Sequence, residues 1–130
     1  MPILKQHRYY RSDLQSNPNV LYVFGDNEQA KGKKGQAAEA RGEPNAFGIP
    51  TKRAPFSSDE AFWTDDELDR QTVILDNRFA ELEAELAAGR IVVWPSDGIG
   101  TGLSKLPERA PRTQAVIDRW IDTLFKRYGA

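Results

Sequence analysis

Two glycine-rich turns carry the residues best suited to chemistry in this chain: Gly25-Asp26-Asn27 through Gly35, and Asp97-Gly98-Ile99-Gly100-Thr101-Gly102. Each follows an apolar run, and eight of the ten glycines stand at 25, 32, 35, 42, 48, 98, 100 and 102. Backbone N–H groups at such turns can close around an anion, because no Cβ blocks the approach. Two cradles on one sheet edge suit a pyrophosphate, each turn donating to one phosphate. Neither turn is specific by itself. The chain has no Walker-type or Rossmann-type glycine string, and glycines that merely permit tight turns give the same pattern.

The elements that must position these turns are legible from hydropathy. Val20-Leu21-Tyr22-Val23-Phe24 is a continuous apolar run ending in Gly25, as expected of a strand buried on both faces of a parallel sheet. Ala46 to Lys52 and Ile91 to Pro95 read as two further strands, Pro50 placing the former near a sheet end or edge. Gln36 to Arg41 holds strong helix formers and ends at Gly42, which makes one short helix. Thr64 and Glu67 fit a capping box, which starts a helix at Thr64. Leu68, Thr72, Leu75, Phe79, Leu82 and Leu86 then recur at helical spacing up to Gly89, as one long helix or two with a bend. Val116, Ile117, Trp120, Ile121, Leu124, Phe125 and Tyr128 mark a C-terminal amphipathic helix. Residues 1–19 read as a short edge strand and a turn. Alternating strands and helices predict a single α/β domain over residues 1–130, a compact three-layer α/β/α sandwich on a mostly parallel or mixed sheet, with both glycine turns at the carboxyl ends of strands where ligands of open sheets bind.

Composition narrows the chemistry. The 130 residues include 18 Lys+Arg and 19 Asp+Glu, a net charge of -1 that gives no global attraction to nucleic acid or anionic membrane. With no cysteine and one histidine, His7, there is no disulfide, no thiolate chemistry and no Cys- or multi-His-ligated metal, and no cofactor is expected. No segment has the apolar length of a signal-peptide core or a membrane span, so a cytoplasmic protein is the default expectation. Lys31-Gly32-Lys33-Lys34 is either a solvated loop or a site of attraction for a polyanion, and Lys52-Arg53 and Lys105 extend the same positive rim. Trp94 and Trp120 are expected in the core. Phe56, Phe62 and Trp63 lie in a loop that either packs on the body or closes over the cleft, where an aromatic ring can stack on a base.

In order and spacing these motifs resemble the macrodomain family. Gly25-Asp26-Asn27, with Gly32 and Gly35 leading into Gln36-Ala37-Ala38, resembles the macrodomain loop that opens a short helix, and Trp94-Pro95 followed by Gly98-Ile99-Gly100-Thr101-Gly102-Leu103 resembles the loop that grips the diphosphate of ADP-ribose. The resemblance covers residues 20–52 and 91–128. It implies that Asn27 contacts the distal ribose, flanked by Gly32, Gly35 and Gln36, and that Gly98, Ile99, Gly100, Thr101, Gly102 and Leu103 hold the diphosphate, Thr101 adding a hydroxyl. Asn27 also reads as a left-handed turn asparagine. Asp26 either accepts from an exocyclic amine of the base or is a solvated turn aspartate.

Thr51-Lys52 is similar to the Thr-Lys pair of the branch that removes ADP-ribose from glutamate, in which the lysine attacks the anomeric carbon. A lysine in a partly desolvated cleft can lose its proton readily enough for that role; it can equally clamp a phosphate or lie solvated. Two departures stand out. Residues 1–19 are too short for the N-terminal region that reads adenine, and Ser104 occupies the place of the assisting aspartate, where serine supplies no acid or base at neutral pH. Asp97 or Asp26 can compensate. The expected function is binding of ADP-ribose or a related nucleotide diphosphate, free or attached to protein or nucleic acid, with hydrolysis of ADP-ribosyl groups as its extension. The alternatives are a non-catalytic sensor or sponge and a protein-interaction module on the same scaffold.

Overall fold

The computed structural model of the chain describes residues 2–129. Four strands, β1 (Ile3–Gln6), β2 (Leu21–Asp26), β3 (Ala46–Pro50) and β4 (Val92–Pro95), form one sheet in the order β1-β4-β2-β3. Every pairing is parallel, with Leu21 opposite Val92, Phe24 opposite Gly48 and Leu4 opposite Val93. The helices are α1 (Arg11–Ser16), α2 (Ala37–Ala40), α3 (Leu68–Ala87), α4 (Leu106–Arg109) and α5 (Pro111–Tyr128). No helix among the described residues is long and apolar enough to cross a membrane.

The period-two alternation of the strands divides the core. Leu21 and Val23, Phe47 and Ile49, Val92 and Trp94 face α3 and α5, whose Leu75, Phe79, Leu82, Leu86, Ile117 and Leu124 are buried against them. Tyr22, Phe24 and Val93 face the other way, onto Leu14 of α1 and Ala37 and Ala40 of α2. The predicted α/β sandwich is therefore present, with all strands parallel. The chain moves outward from β1 to β2 to β3 over the α1/α2 face and returns to β4 over the α3/α5 face, which keeps one crossover hand throughout.

Several elements differ from the sequence reading for physical reasons. Residues 11–16 form a helix, not a turn: the Asp13 carboxylate accepts the Tyr10 backbone N–H at 2.9 Å, and only Leu14 of that helix is buried, too few apolar positions to leave a periodic signal. The capping box at Thr64 does not form. Asp65–Glu67 is a turn of 3-10 helix, α3 begins at Leu68, and the Glu67 side chain is drawn instead to Arg53 and Arg70. At the inward position of the first turn stands Gln71 rather than Thr72. It is fully buried, donating to the Thr64 carbonyl at 2.9 Å and accepting from the Thr113 hydroxyl at 2.5 Å. Helix α3 is continuous. Trp94 is buried, and Trp120 stacks on Phe79 with ring centroids 5.4 Å apart while its indole N–H reaches Asp76 at 2.8 Å.

Candidate functional site

β2 and β4 are neighbours whose following segments depart to opposite faces of the sheet, α2 to one and α5 to the other. The crevice opened at such a point, outside the carboxyl ends of the strands, is where open α/β sheets bind ligands. Both glycine turns lie there. One side chain holds them together: the Gln36 carbonyl oxygen accepts the Gly25 N–H at 2.7 Å, and its amide donates to the Gly98 carbonyl at 3.0 Å. Gln36, read from the sequence as a flank of the ribose, is thus the clip that sets the spacing of the two turns.

The second turn is closed by Gly98 N–H to Pro95 O at 2.8 Å, by the Thr101 hydroxyl to Asp97 O at 2.9 Å and by Leu106 N–H to Gly100 O at 2.8 Å. Among the described residues, the N–H groups of Gly100, Thr101, Gly102, Leu103 and Ser104 donate to no protein acceptor. A run of free donors on a tight turn is what an anion cradle requires. The glycines of this turn differ in purpose. Gly100 has φ +79°, and a Cβ there would stand 2.5 Å from Leu106 and 3.1 Å from Gln114, so packing already demands glycine. A Cβ at Gly102 would meet nothing within 4 Å, and Gly102 lines a hollow together with Gly25, Lys34 and Leu103. Ile99 is buried in the core, leaving only its backbone for a ligand.

The first turn is built by its own polar side chains. Asp26 takes Arg41 on both carboxylate oxygens, at 2.9 and 2.5 Å, and also accepts the Asn27 N–H at 2.8 Å. Arg41 continues to the Lys31 and Gly32 carbonyls. Asn27, buried and with negative φ, donates to Lys31 O at 2.8 Å and accepts the Gln29 N–H at 3.0 Å. Both residues line the cleft, yet their hydrogen-bonding capacity is committed to shaping the lysine loop. Arg41 reads in the sequence only as the last residue of a short helix.

Beyond the turns lies a hollow of about 230 Å³ lined by Lys31, Lys33, Lys34, Lys52, Asp26 and Arg41 among others. Its single carboxylate is the one that Arg41 neutralises. None of these four lysines, nor Lys105 beside Lys52, belongs to an ion pair among the described residues. Lys52 is 8% exposed; its ammonium donates to the Phe56 carbonyl at 2.6 Å and sits 4.5 Å from the centre of the Phe62 ring. Burial, then the charges of Lys105 and Lys34, push its pKa below the ordinary lysine value. The Thr51 hydroxyl lies 2.5 Å from the Ser104 hydroxyl and 3.1 Å from the Asp26 carbonyl, tying the end of β3 to the second turn.

The structure brings Lys52, Ser104, Asn27 and the glycine turns to one cleft, but not Asp97. That carboxylate is exposed and faces His7 Nδ1 at 3.6 Å, on the β1 side of β4. No free carboxylate lines the hollow with Lys52. Of the three loop aromatics, Phe62 and Trp63 are buried while Phe56 is 60% exposed. Among the described residues no group of His, Cys, Asp or Glu side chains is placed to hold a metal ion.

A model of a family of unknown function (DUF7831) matches residues 4–120, from β1 to Trp120 in α5 and so across both glycine turns, the lysine loop and Lys52. The chain belongs to that family. No curated protein and no solved structure matches it.

Directly after Asn27 stands a polar anchor that has no signal in the sequence pattern. Glu28 accepts the Trp63 indole N–H at 2.7 Å and a bidentate Arg70 at 2.7 and 3.2 Å. Burial raises the Glu28 pKa, but the hydrogen bonds from Arg70 and Trp63 outweigh it and the net displacement is downward. A carboxyl with a depressed folded pKa contributes stability that is present above its unfolded value and lost as pH falls through the folded one. Glu28→Gln is therefore expected to cost about 1–2 kcal/mol at neutral pH. The gap to the wild type should close in acid, as measured by denaturant unfolding across that range.

Proposed function

We propose that this cleft binds ADP-ribose or a related nucleotide diphosphate. The observation that carries the reading is one arrangement: two glycine turns clipped side by side by Gln36, a run of free N–H donors on one of them, and unpaired lysines around the hollow they border. Free backbone donors and uncompensated ammonium groups both favour a compact, multiply charged anion. The order of the motifs, which resembles that of macrodomains, supplies the nucleotide. A cytoplasmic setting, where such nucleotides circulate, goes with this reading.

Binding without turnover is the form the geometry supports best, because Lys52 has no free carboxylate beside it and Asp97 faces His7. Hydrolysis of ADP-ribosyl groups is the second reading, favoured by the buried position and lowered pKa of Lys52. Titration calorimetry with ADP-ribose, ADP, NAD and inorganic phosphate tests the first. Heat of binding is expected for ADP-ribose and ADP, and its absence with every ligand at millimolar concentration overturns the proposal. Intact ligand should be recovered after long incubation. Release of ADP-ribose from a modified glutamate substrate, lost in Lys52→Ala, would replace binding by hydrolysis.

A further inference from the structure

The charge around the cleft exceeds what one diphosphate neutralises. A chain of net charge -1 gathers Lys31, Lys33, Lys34, Lys52 and Lys105 about one opening with no ion-pair partner among the described residues, so the remainder of the molecule is acidic. Four of the five are exposed and only Lys52 is at the floor. Such segregation focuses a positive potential on one opening and is the electrostatic footprint of a polyanion.

An apolar contribution stands beside it. Phe56 is 60% exposed although the other two aromatics of its loop are buried; its carbonyl is held by the Lys52 ammonium, and its neighbours Pro55 and Ser57 line the cleft. Leu103, 57% exposed, lines the same hollow. Lysines that track a phosphate backbone and an open ring on which a base can stack are the two components of single-strand recognition, whereas a duplex hides its base faces.

We infer that the lip of this cleft receives a single strand of nucleic acid, its phosphates on Lys31, Lys33, Lys34 and Lys105 and one base on the Phe56 ring. The inference deepens the proposed nucleotide site: the nucleotide seated between the glycine turns is then one carried by a polynucleotide.

Fluorescence anisotropy of the full chain with labelled oligothymidylate of about 12 nucleotides, against a duplex of equal length, tests it. The strand should bind more tightly than the duplex, and log affinity should fall linearly with log salt concentration. Lys33→Gln should shrink that slope by about 0.7, and Phe56→Ala should weaken the strand about tenfold. Equal affinity for strand and duplex, an unchanged affinity in Phe56→Ala, or equal competition by inorganic polyphosphate in the wild type and Phe56→Ala overturns the inference. ADP-ribose binding without strand binding overturns it while sparing the nucleotide site. Strand binding without ADP-ribose binding does the reverse.

Discussion

Gly102→Val is expected to abolish binding of ADP-ribose while leaving the stability of the protein within about 0.5 kcal/mol of the wild type. The added side chain meets nothing within 4 Å on the fold, yet it is placed on a residue that lines the hollow between the glycine turns. Gly100→Val should do the opposite kind of damage. Its backbone lies at φ +79°, a region costing an L-residue about 1–2 kcal/mol, and its Cβ would stand 2.5 Å from the fully buried Leu106. Overpacking of that sort adds about 1–3 kcal/mol, so a loss of about 2–5 kcal/mol is expected in chemical denaturation. The pair separates two roles that one sequence motif conflates. Equal loss of binding and stability in both variants would mean that the turn is structural and cradles no anion.

Lys52→Met should weaken the nucleotide by about 10- to 100-fold, the span for a hydrogen bond to a charged group, and should not destabilise the fold. Charged Lys52 is disfavoured by burial and by Lys105 and Lys34, and a neutral side chain of similar length removes that cost, which offsets the lost hydrogen bond to the Phe56 carbonyl. The sign follows from the lowered pKa. Between the depressed folded value and the ordinary lysine value the unfolded chain binds more protons, so stability rises with pH as Lys52 discharges. Affinity for an anion falls through the same window, before ordinary lysines titrate. Calorimetry from neutral to alkaline pH should show that early loss in the wild type and not in Lys52→Met; superimposable profiles would remove Lys52 from the site.

The sheet was readable because Leu21 to Phe24 and Val92 to Trp94 are buried on both faces and leave unbroken apolar runs. The glycine turns were readable for a related reason, since strands of a parallel sheet deliver their loops to one edge. What leaves no local pattern is polar and long-range. Arg41 meets Asp26 fifteen positions away, Glu28 meets Arg70 forty-two away, and Gln36 meets Gly98 sixty-two away. Helical or strand periodicity carries no trace of such pairings. The same gap explains Asp97, adjacent to the glycine run in sequence but turned toward His7 in space, and Gly48, which reads as a strand residue yet stands where a Cβ would collide with the Asp26 carboxylate. Glu67 fits a capping box in the sequence, but two arginines compete for its carboxylate and take it.

The most direct test of the nucleotide cleft is an amide chemical-shift titration of the uniformly labelled protein with ADP-ribose. The account predicts saturable shifts confined to the amides of Gly98 to Ser104, of Gly25 to Ala37 and of Lys52, with the outer faces of α3 and α5 unmoved. Absence of shifts at these amides, or saturation centred on any other face, would contradict it.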